Sequence, residues 1–314
     1  MLSEPERAAV IAEARGVLAR HARTFRLAGR LLPAARLDDA AVVYAFCRLV
    51  DDAVDEAADA RHARSALAGL RAELSGASPA RPIVAAYAEV AARCGIPAEA
   101  AHELFEGMAS DLGPVRIPDE AALLRYAYRV AGTVGLMMSG VLGVRDPVAR
   151  PFAIDLGVAM QLTNIARDVA EDAARDRVYL PADRLAAAGV RTESVLDGSA
   201  DRDRLGRVVR ELLALADRYY RSGQDGLRYI PLAPRPAIAA AGSVYRAIGL
   251  EILRHDADVL SGRAVVPGRA RLAWLCRAAA TAPLRGLFRA PRHDATLHRA
   301  LAGLPGAVPG GHAP

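Results

Sequence analysis

Two aspartate pairs set the first constraint on how this chain can fold. Asp51 and Asp55 stand in YAFCRLVDDAVDE with Asp52 beside them. Asp168 and Asp172 stand in QLTNIARDVAEDAARDRVYLP, more than a hundred residues further on. Both stretches carry the apolar spacing of a helix, so each pair, four residues apart, projects from one face, one turn apart. Like charges at that spacing repel by roughly a few tenths of a kcal/mol even on an exposed helix. Here the flanking Tyr44, Phe46, Leu49, Val50 and Val54, and in the second stretch Ile154, Leu156, Val158, Leu162, Ile165 and Val169, mark helices that are mostly buried. Burying several carboxylates is costly unless cations meet them. A hard divalent cation suits the donors: Mg²⁺ takes one or two carboxylates, waters and substrate phosphates.

The rest of the chain reads as helix too. Ala- and Leu-rich segments with helical spacing predict helices over 5–21, 35–58, 61–74, 82–94, 98–112, 120–142, 148–173, 204–223, 236–260 and 268–285, with no convincing alternating strand. Pro33, Ser78-Pro79, Gly95 to Pro97, Gly113-Pro114, Asp146-Pro147, Pro231, Pro234 and Pro267-Gly268 separate them. The linkers are short, which predicts one all-α domain over residues 1–289. From residue 290 the drift to Pro, Gly and His predicts a disordered tail, 290–314.

Composition closes several routes. Cys47, Cys94 and Cys276 are too scattered for a disulfide framework or a zinc site, which predicts a reducing, cytoplasmic setting. Charged residues in the first twenty argue against a secretory signal. The run from Val130 to Val144 is shorter than the roughly 20 residues of a bilayer span. All 41 basic residues are arginine, so Schiff-base and Walker A lysine chemistry are excluded. The net charge of +5 suits anionic ligands or an anionic lipid surface. No nucleic-acid-binding signature accompanies it.

Around the pairs, Tyr44, Arg48 and Asp51 share a face, and Gln161, Asn164, Asp168 and Asp172 form one polar seam at intervals of three, four and four. A buried seam of amides and carboxylates implies a polar ligand or a cavity. Arg167, Arg175 and Arg177 can pair with it or bind phosphate. Glu99 and His102 match half of a di-iron motif, occur once, and read as surface. The glycines in VAGTVGLMMSG each cost roughly 1 kcal/mol in a helix and read as close packing, with Met137 and Met138 as core or lining. Two carboxylate pairs facing each other with metal between them make a cage for a diphosphate. Ionising its C–O bond leaves a carbocation that needs an apolar, water-free pocket.

HARTF (His21–Phe25), YAFCRLVDDAVD, YAYRVAGTVGLMM, QLTNIARDVAEDAARDRVYLP and VYRAIG occur in this order. On these motifs the chain resembles the squalene/phytoene synthase family over nearly its whole length, to about Phe288. VAGTVGLMM followed by GVRD is most similar to the bacterial phytoene-forming branch. The resemblance implies an isoprenoid-synthase-type helical bundle with a central apolar cavity. It implies head-to-head condensation of two geranylgeranyl diphosphates, through a cyclopropyl diphosphate, to 15-cis-phytoene without NADPH. The expected cofactor is Mg²⁺, with Mn²⁺ as substitute.

The resemblance also assigns residues. Asp51, Asp55, Asp168 and Asp172 match the metal ligands, with Asn164 beside them. Arg48, Tyr44, His21, Tyr245 and Arg263 match diphosphate-contacting positions, and Gln161 and Asn164 the polar partners of the second motif. Tyr126 matches a tyrosine near the cyclopropyl rearrangement, and Phe25 an aromatic of the prenyl pocket. Two alternatives stand beside this reading: squalene or dehydrosqualene synthesis from farnesyl diphosphate, and a non-catalytic assembly factor, against which both motifs stand intact. A lipophilic product and the arginines from Arg269 to Arg299 suggest peripheral contact with the inner face of a membrane. The sequence is silent on oligomeric state.

Overall fold

Caps, prolines and left-handed glycines mark several of the helix ends. A computed structural model describes residues 2–21, 29, 31–284 and 292–308. Helix α1 (Glu4–His21) is followed by the long α2 (Ala34–Asp55). At α3 (Ala60–Ser75) the Asp59 carboxylate accepts the Arg61 and His62 N–H groups at 2.8 and 2.9 Å, and Gly76 ends the helix at φ 79°. Helix α4 (Pro82–Cys94) begins on a proline and ends on Gly95, and α5 (Ala98–Ala109) follows. Glu99 and His102 are exposed on α5, as expected.

Asp119 caps α6 (Glu120–Ala127), which runs through a π-helical turn, Tyr128–Gly132, into α7 (Thr133–Val141). The expected helix from 148 to 173 divides at Asp168 (φ −104°, ψ 15°) into α8 (Arg150–Arg167) and α9 (Val169–Ala173). Backbone bonds from Asp168 N to Asn164 O (2.9 Å) and Asp172 N to Asp168 O (2.8 Å) still bridge the break, so the aspartates stay one turn apart.

Two short helices that the periodicity missed, α10 (Ala182–Ala187) and α11 (Thr192–Leu196), precede α12 (Arg202–Asp225), α13 (Arg235–Arg254) and α14 (Gly268–Thr281). A parallel pair of two-residue strands, β1 (Val115–Arg116) and β2 (Arg177–Val178), also departs from the helix-only expectation. It ties the loop after α5 to the loop after α9.

Helix α2 packs on α1, α4 and α5, where Phe46 stacks on Tyr87 at 3.8 Å and meets Phe105 edge-on at 6.2 Å. Helix α8 packs on α7, α12 and α13. The α7–α8 crossing explains the glycines. A Cβ on Gly135 would lie 2.1 Å from the Ala153 carbonyl oxygen, and one on Gly157 2.2 Å from that of Ala131. The glycines are therefore packing, as read. Met137 is core and Met138 lines a cavity.

Among the described residues, only α13 is long and apolar enough to cross a membrane, and it is mostly buried against α8 and α14. The expected disordered tail is corrected over 292–308. Residues Ala295–Leu301 form a 3₁₀ helix, and Leu297, His298, Leu301 and Leu304 are buried.

Candidate active site

A cavity of about 420 Å³ runs between α2, α7, α8, α12 and α13. Helix direction gives it two unlike ends. On α2 and α8 the carboxylates stand at the C-terminal ends, while Leu37, Ala40 and Phe152, further back on the same helices, line the cavity elsewhere. Helices α6 and α7 run the other way, with Tyr126 at the polar end and Ser139 beyond it. Apolar surface dominates the remainder, with Val43, Val130, Val134, Leu156, Met160 and Ile238 on its walls.

The cavity brings Tyr44, Arg48, Asp51, Tyr126, Gln161, Asn164 and Tyr245 together. Asp55, Asp168, Asp172 and Arg263 surround the same end through ion pairs and backbone neighbours without lining the cavity. Arg48 pairs with Asp51 at 3.0 Å and also with Asp52. Arg175 and Arg177 each meet Asp55 at 2.8 Å, so the arginines after the second motif hold a carboxylate of the first. Asp168 is held by Arg167 (2.7 Å) and by Arg263 (3.0 Å). Asn164 Nδ2 donates to Gln161 Oε1 at 3.3 Å. Phe25 lies outside the described residues. His21 closes α1, but its side chain is likewise undescribed.

Sequence reasoning missed Asp111 and Tyr179. Asp111 is 6% exposed and lines the cavity. The Tyr126 hydroxyl donates to it at 2.9 Å and the Tyr179 hydroxyl at 2.8 Å, and the two rings stack at 4.8 Å. Asp111 has no helical partner in the sequence. The one signal was Tyr126, since a buried tyrosine hydroxyl needs an acceptor.

Electrostatics mark three aspartates of the polar end. Burial, and then Asp55, push the Asp51 carboxyl up to about 6, against the pull of Arg48. Burial, and then Asp168, push Asp172 up to about 7. Burial lifts Asp111 to about 6, with the two tyrosine hydroxyls opposing it. These are carboxylates short of positive charge. The buried Asn164 Oδ1 has no hydrogen-bond partner in the protein, and neither does the buried Arg48 Nε. Hard oxygen donors short of cations, beside an unsatisfied amide oxygen, fit a divalent metal. An unsatisfied guanidinium nitrogen fits an anion.

Residues 18–270 match the family model described as squalene/phytoene synthase. The chain is 40% identical over 272 residues to a phytoene synthase of Cereibacter sphaeroides, covering 83% of this chain and 77% of that one. It is 38% identical over 284 residues to the 15-cis-phytoene synthase of Enterobacter agglomerans, covering 86% and 95%. Among solved structures, a dehydrosqualene synthase in complex with ligand superposes with a TM-score of 0.79 at 25% identity, over 88% of this chain and 97% of that one. The squalene synthase HpnC from Alicyclobacillus acidocaldarius superposes with a TM-score of 0.72 at 24% identity, over 81% and 97%.

The fold is thus the helical bundle of isoprenoid synthases, with a cavity whose polar end carries the acidic motifs. The chain belongs to the squalene/phytoene synthase family and is a prenyltransferase of isoprenoid biosynthesis. That family acts on prenyl diphosphates and depends on a divalent metal.

Proposed function

We propose that this enzyme is a 15-cis-phytoene synthase that condenses two geranylgeranyl diphosphates head to head. The observation that carries the reading is the pairing of both acidic motifs with an apolar cavity of about 420 Å³ opening from them, in a chain whose relatives are named phytoene synthase.

The donor set fits Mg²⁺ held by Asp51, Asp55, Asp168 and Asp172, with Asn164 beside them, and Mn²⁺ as substitute. When bound, the metal neutralises the diphosphate and makes it a better leaving group. The protein's own share is position, charge and dryness. Arg48, with a buried Nε short of an acceptor, receives diphosphate together with Tyr44, Tyr245 and Arg263. His21, the last residue of α1, is expected among them on the family resemblance. Gln161 holds Asn164 in place. Tyr126 keeps its hydroxyl proton and donates it in a hydrogen bond to Asp111, because burial, then Asp111 itself, raise its pKa well above the ordinary value. Tyr126 therefore lines the cavity as a neutral aromatic. A ring face near a carbocation is worth about 0.5–2 kcal/mol. The apolar walls, with Phe25 expected among them, exclude the water that would trap the cation. Phytoene forms by loss of a proton, so NADPH is not required.

Purified protein with Mg²⁺ and geranylgeranyl diphosphate is expected to yield phytoene in the absence of reductant. A hydrocarbon formed only from farnesyl diphosphate would instead move it to the dehydrosqualene or squalene branch, the second reading favoured by the likeness to the dehydrosqualene synthase fold. An enzyme in the cytoplasm that touches the membrane's inner surface fits the lipophilic product. Exposed Val265, Leu272 and Leu284 beside Arg269, Arg271 and Arg277 support it. Co-sedimentation with anionic liposomes, lost at high salt, is the expected result.

A further inference from the structure

The segment 292–308 lies beyond the span matched by the family model, 18–270, and is fastened to the bundle by a buried polar cluster. At its centre is Asp155 on α8, fully buried. His293 Nε2 meets Asp155 Oδ2 at 2.7 Å, His298 Nε2 meets Oδ1 at 2.9 Å, and the Ser222 hydroxyl donates to Oδ2 at 2.5 Å. Burial alone would raise the Asp155 pKa, but the hydrogen bonds and the charge of the two imidazoles together lower it. Around the cluster, Tyr219 donates to the Leu297 carbonyl at 2.6 Å and Tyr128 to that of Pro305 at 2.6 Å.

Three ligand-type side chains grouped this closely invite a metal-site reading. The hydrogen bonding argues otherwise. His298 Nδ1 accepts the Val308 N–H at 3.0 Å, so its ring proton sits on Nε2 and points at Asp155. Separations of 2.7 and 2.9 Å are those of hydrogen bonds. Two ligands about 2.0–2.1 Å from one zinc at tetrahedral angles stand roughly 3.3 Å apart.

The cluster touches the cavity through one ring. His293 meets Phe152 edge-on, centroids 5.2 Å apart at 84°, and Phe152 stacks on Tyr229 at 5.7 Å. Phe152 is 2% exposed and lines the cavity. Its other side is closed by Gly226, where a Cβ would fall 2.3 Å from the Phe152 Cβ. Phe152 precedes Asn164 by twelve residues on α8. At ~1.5 Å per residue it therefore stands ~18 Å along the helix from the polar end. The last isoprene unit of a geranylgeranyl chain, which a farnesyl chain lacks, is the part of the substrate farthest from the diphosphate.

We infer that His293 is a positioning residue for chain-length selection: held by Asp155, it fixes Phe152 as the end wall on which the terminal isoprene unit of the longer substrate packs. This rests on the prenyl diphosphate reading of the cavity. The test uses calorimetric binding, with Mg²⁺, of the unreactive thiodiphosphate analogues of farnesyl and geranylgeranyl diphosphate to the full chain, beside turnover of the two diphosphates.

In His293→Ala, the geranylgeranyl analogue is expected to bind about tenfold more weakly while the farnesyl analogue changes by less than about twofold. The KM for geranylgeranyl diphosphate should rise with kcat little changed, the mark of lost binding along the chain. His293→Phe, which keeps a ring edge against Phe152, should restore most of the wild-type ratio. Phe152→Leu, which alters the wall with the cluster intact, should reproduce the His293→Ala ratio and covers the case in which that variant does not fold. Equal weakening of both analogues, or an unchanged ratio in Phe152→Leu, overturns the inference. A wild-type protein that binds both analogues but releases no hydrocarbon overturns the functional reading, while the binding ratio still decides the role of His293.

Discussion

Asp51 and Asp55 stand on an unbroken turn of α2, whereas Asp168 and Asp172 straddle the end of α8. Their charges are also met differently within each pair. Asp55 is gripped by Arg175 and Arg177, and Asp168 by Arg167 and Arg263. The other members, Asp51 and Asp172, are the ones that burial and a like-charged neighbour push up to about 6 and about 7. Two arginines thus meet one carboxylate of each pair, while Asp51 has Arg48 alone, at 3.0 Å and shared with Asp52. The second carboxylate of each pair gains most from an added cation. The motifs look equivalent in sequence, yet in each the arginines weigh more on one acid than on the other.

The largest expected effect comes from removing a carboxylate outright. Asp51→Ala and Asp168→Ala should each lower turnover by about a thousandfold or more, since metal-assisted ionisation is worth several kcal/mol. Circular dichroism should show the helices unchanged. Near wild-type activity in either would end the metal-cage argument.

Next comes Arg177→Ala. It strips Asp55 of a 2.8 Å partner and frees the Asp111 carbonyl, to which Arg177 also donates at 3.3 Å. Hydrogen bonds to charged groups contribute about 1.5–3 kcal/mol, so a loss of about that size should appear in urea unfolding. Arg175→Ala, whose side chain is 59% exposed, should by contrast cost below about 1 kcal/mol. If the two variants were alike, the distinction between a buried and a solvated grip on Asp55 would fall.

The smallest effect is a pH dependence. Between the ordinary carboxylate value and about 6–7, folded Asp51 and Asp172 retain protons that the unfolded chain has released. Without a divalent cation, their contribution to stability therefore declines as pH rises through that window. Mg²⁺ should raise the melting temperature more at pH 8 than at pH 5. An equal rise at both would show that these two acids do not respond to the metal.

Much of the polar end was legible because its residues obey helical spacing. Tyr44, Arg48 and Asp51 share one face of α2, and Gln161, Asn164 and Asp168 another on α8. Short-range periodicity is what a sequence records openly. Asp111, Tyr179 and the Asp155–His293–His298 cluster escaped because their contacts join residues far apart in the chain and follow no period. His298 and Asp155, for example, are 143 positions apart. The end of the chain misled for a related reason. Its Pro and Gly content argues against a core, but its backbone carbonyls are held by Tyr128, Tyr219 and Arg125 on distant helices, which composition does not register. The two-residue strands were too short for any alternation to show.

The π-helical turn at Tyr128–Gly132 has a consequence for how this protein tolerates insertions and deletions. Thr133 donates to the Tyr128 carbonyl five residues back, so the turn holds one residue more than an α-helix would. Each helical residue carries about 100° of rotation. A deletion of one residue there would restore an ordinary ladder and leave α7 seated on α8 by Gly135. The helix before it would swing by about that angle, and Tyr126 would turn away from Asp111. In this stretch the length of the chain is itself part of the site, and a gap that spares every named side chain would still dismantle it.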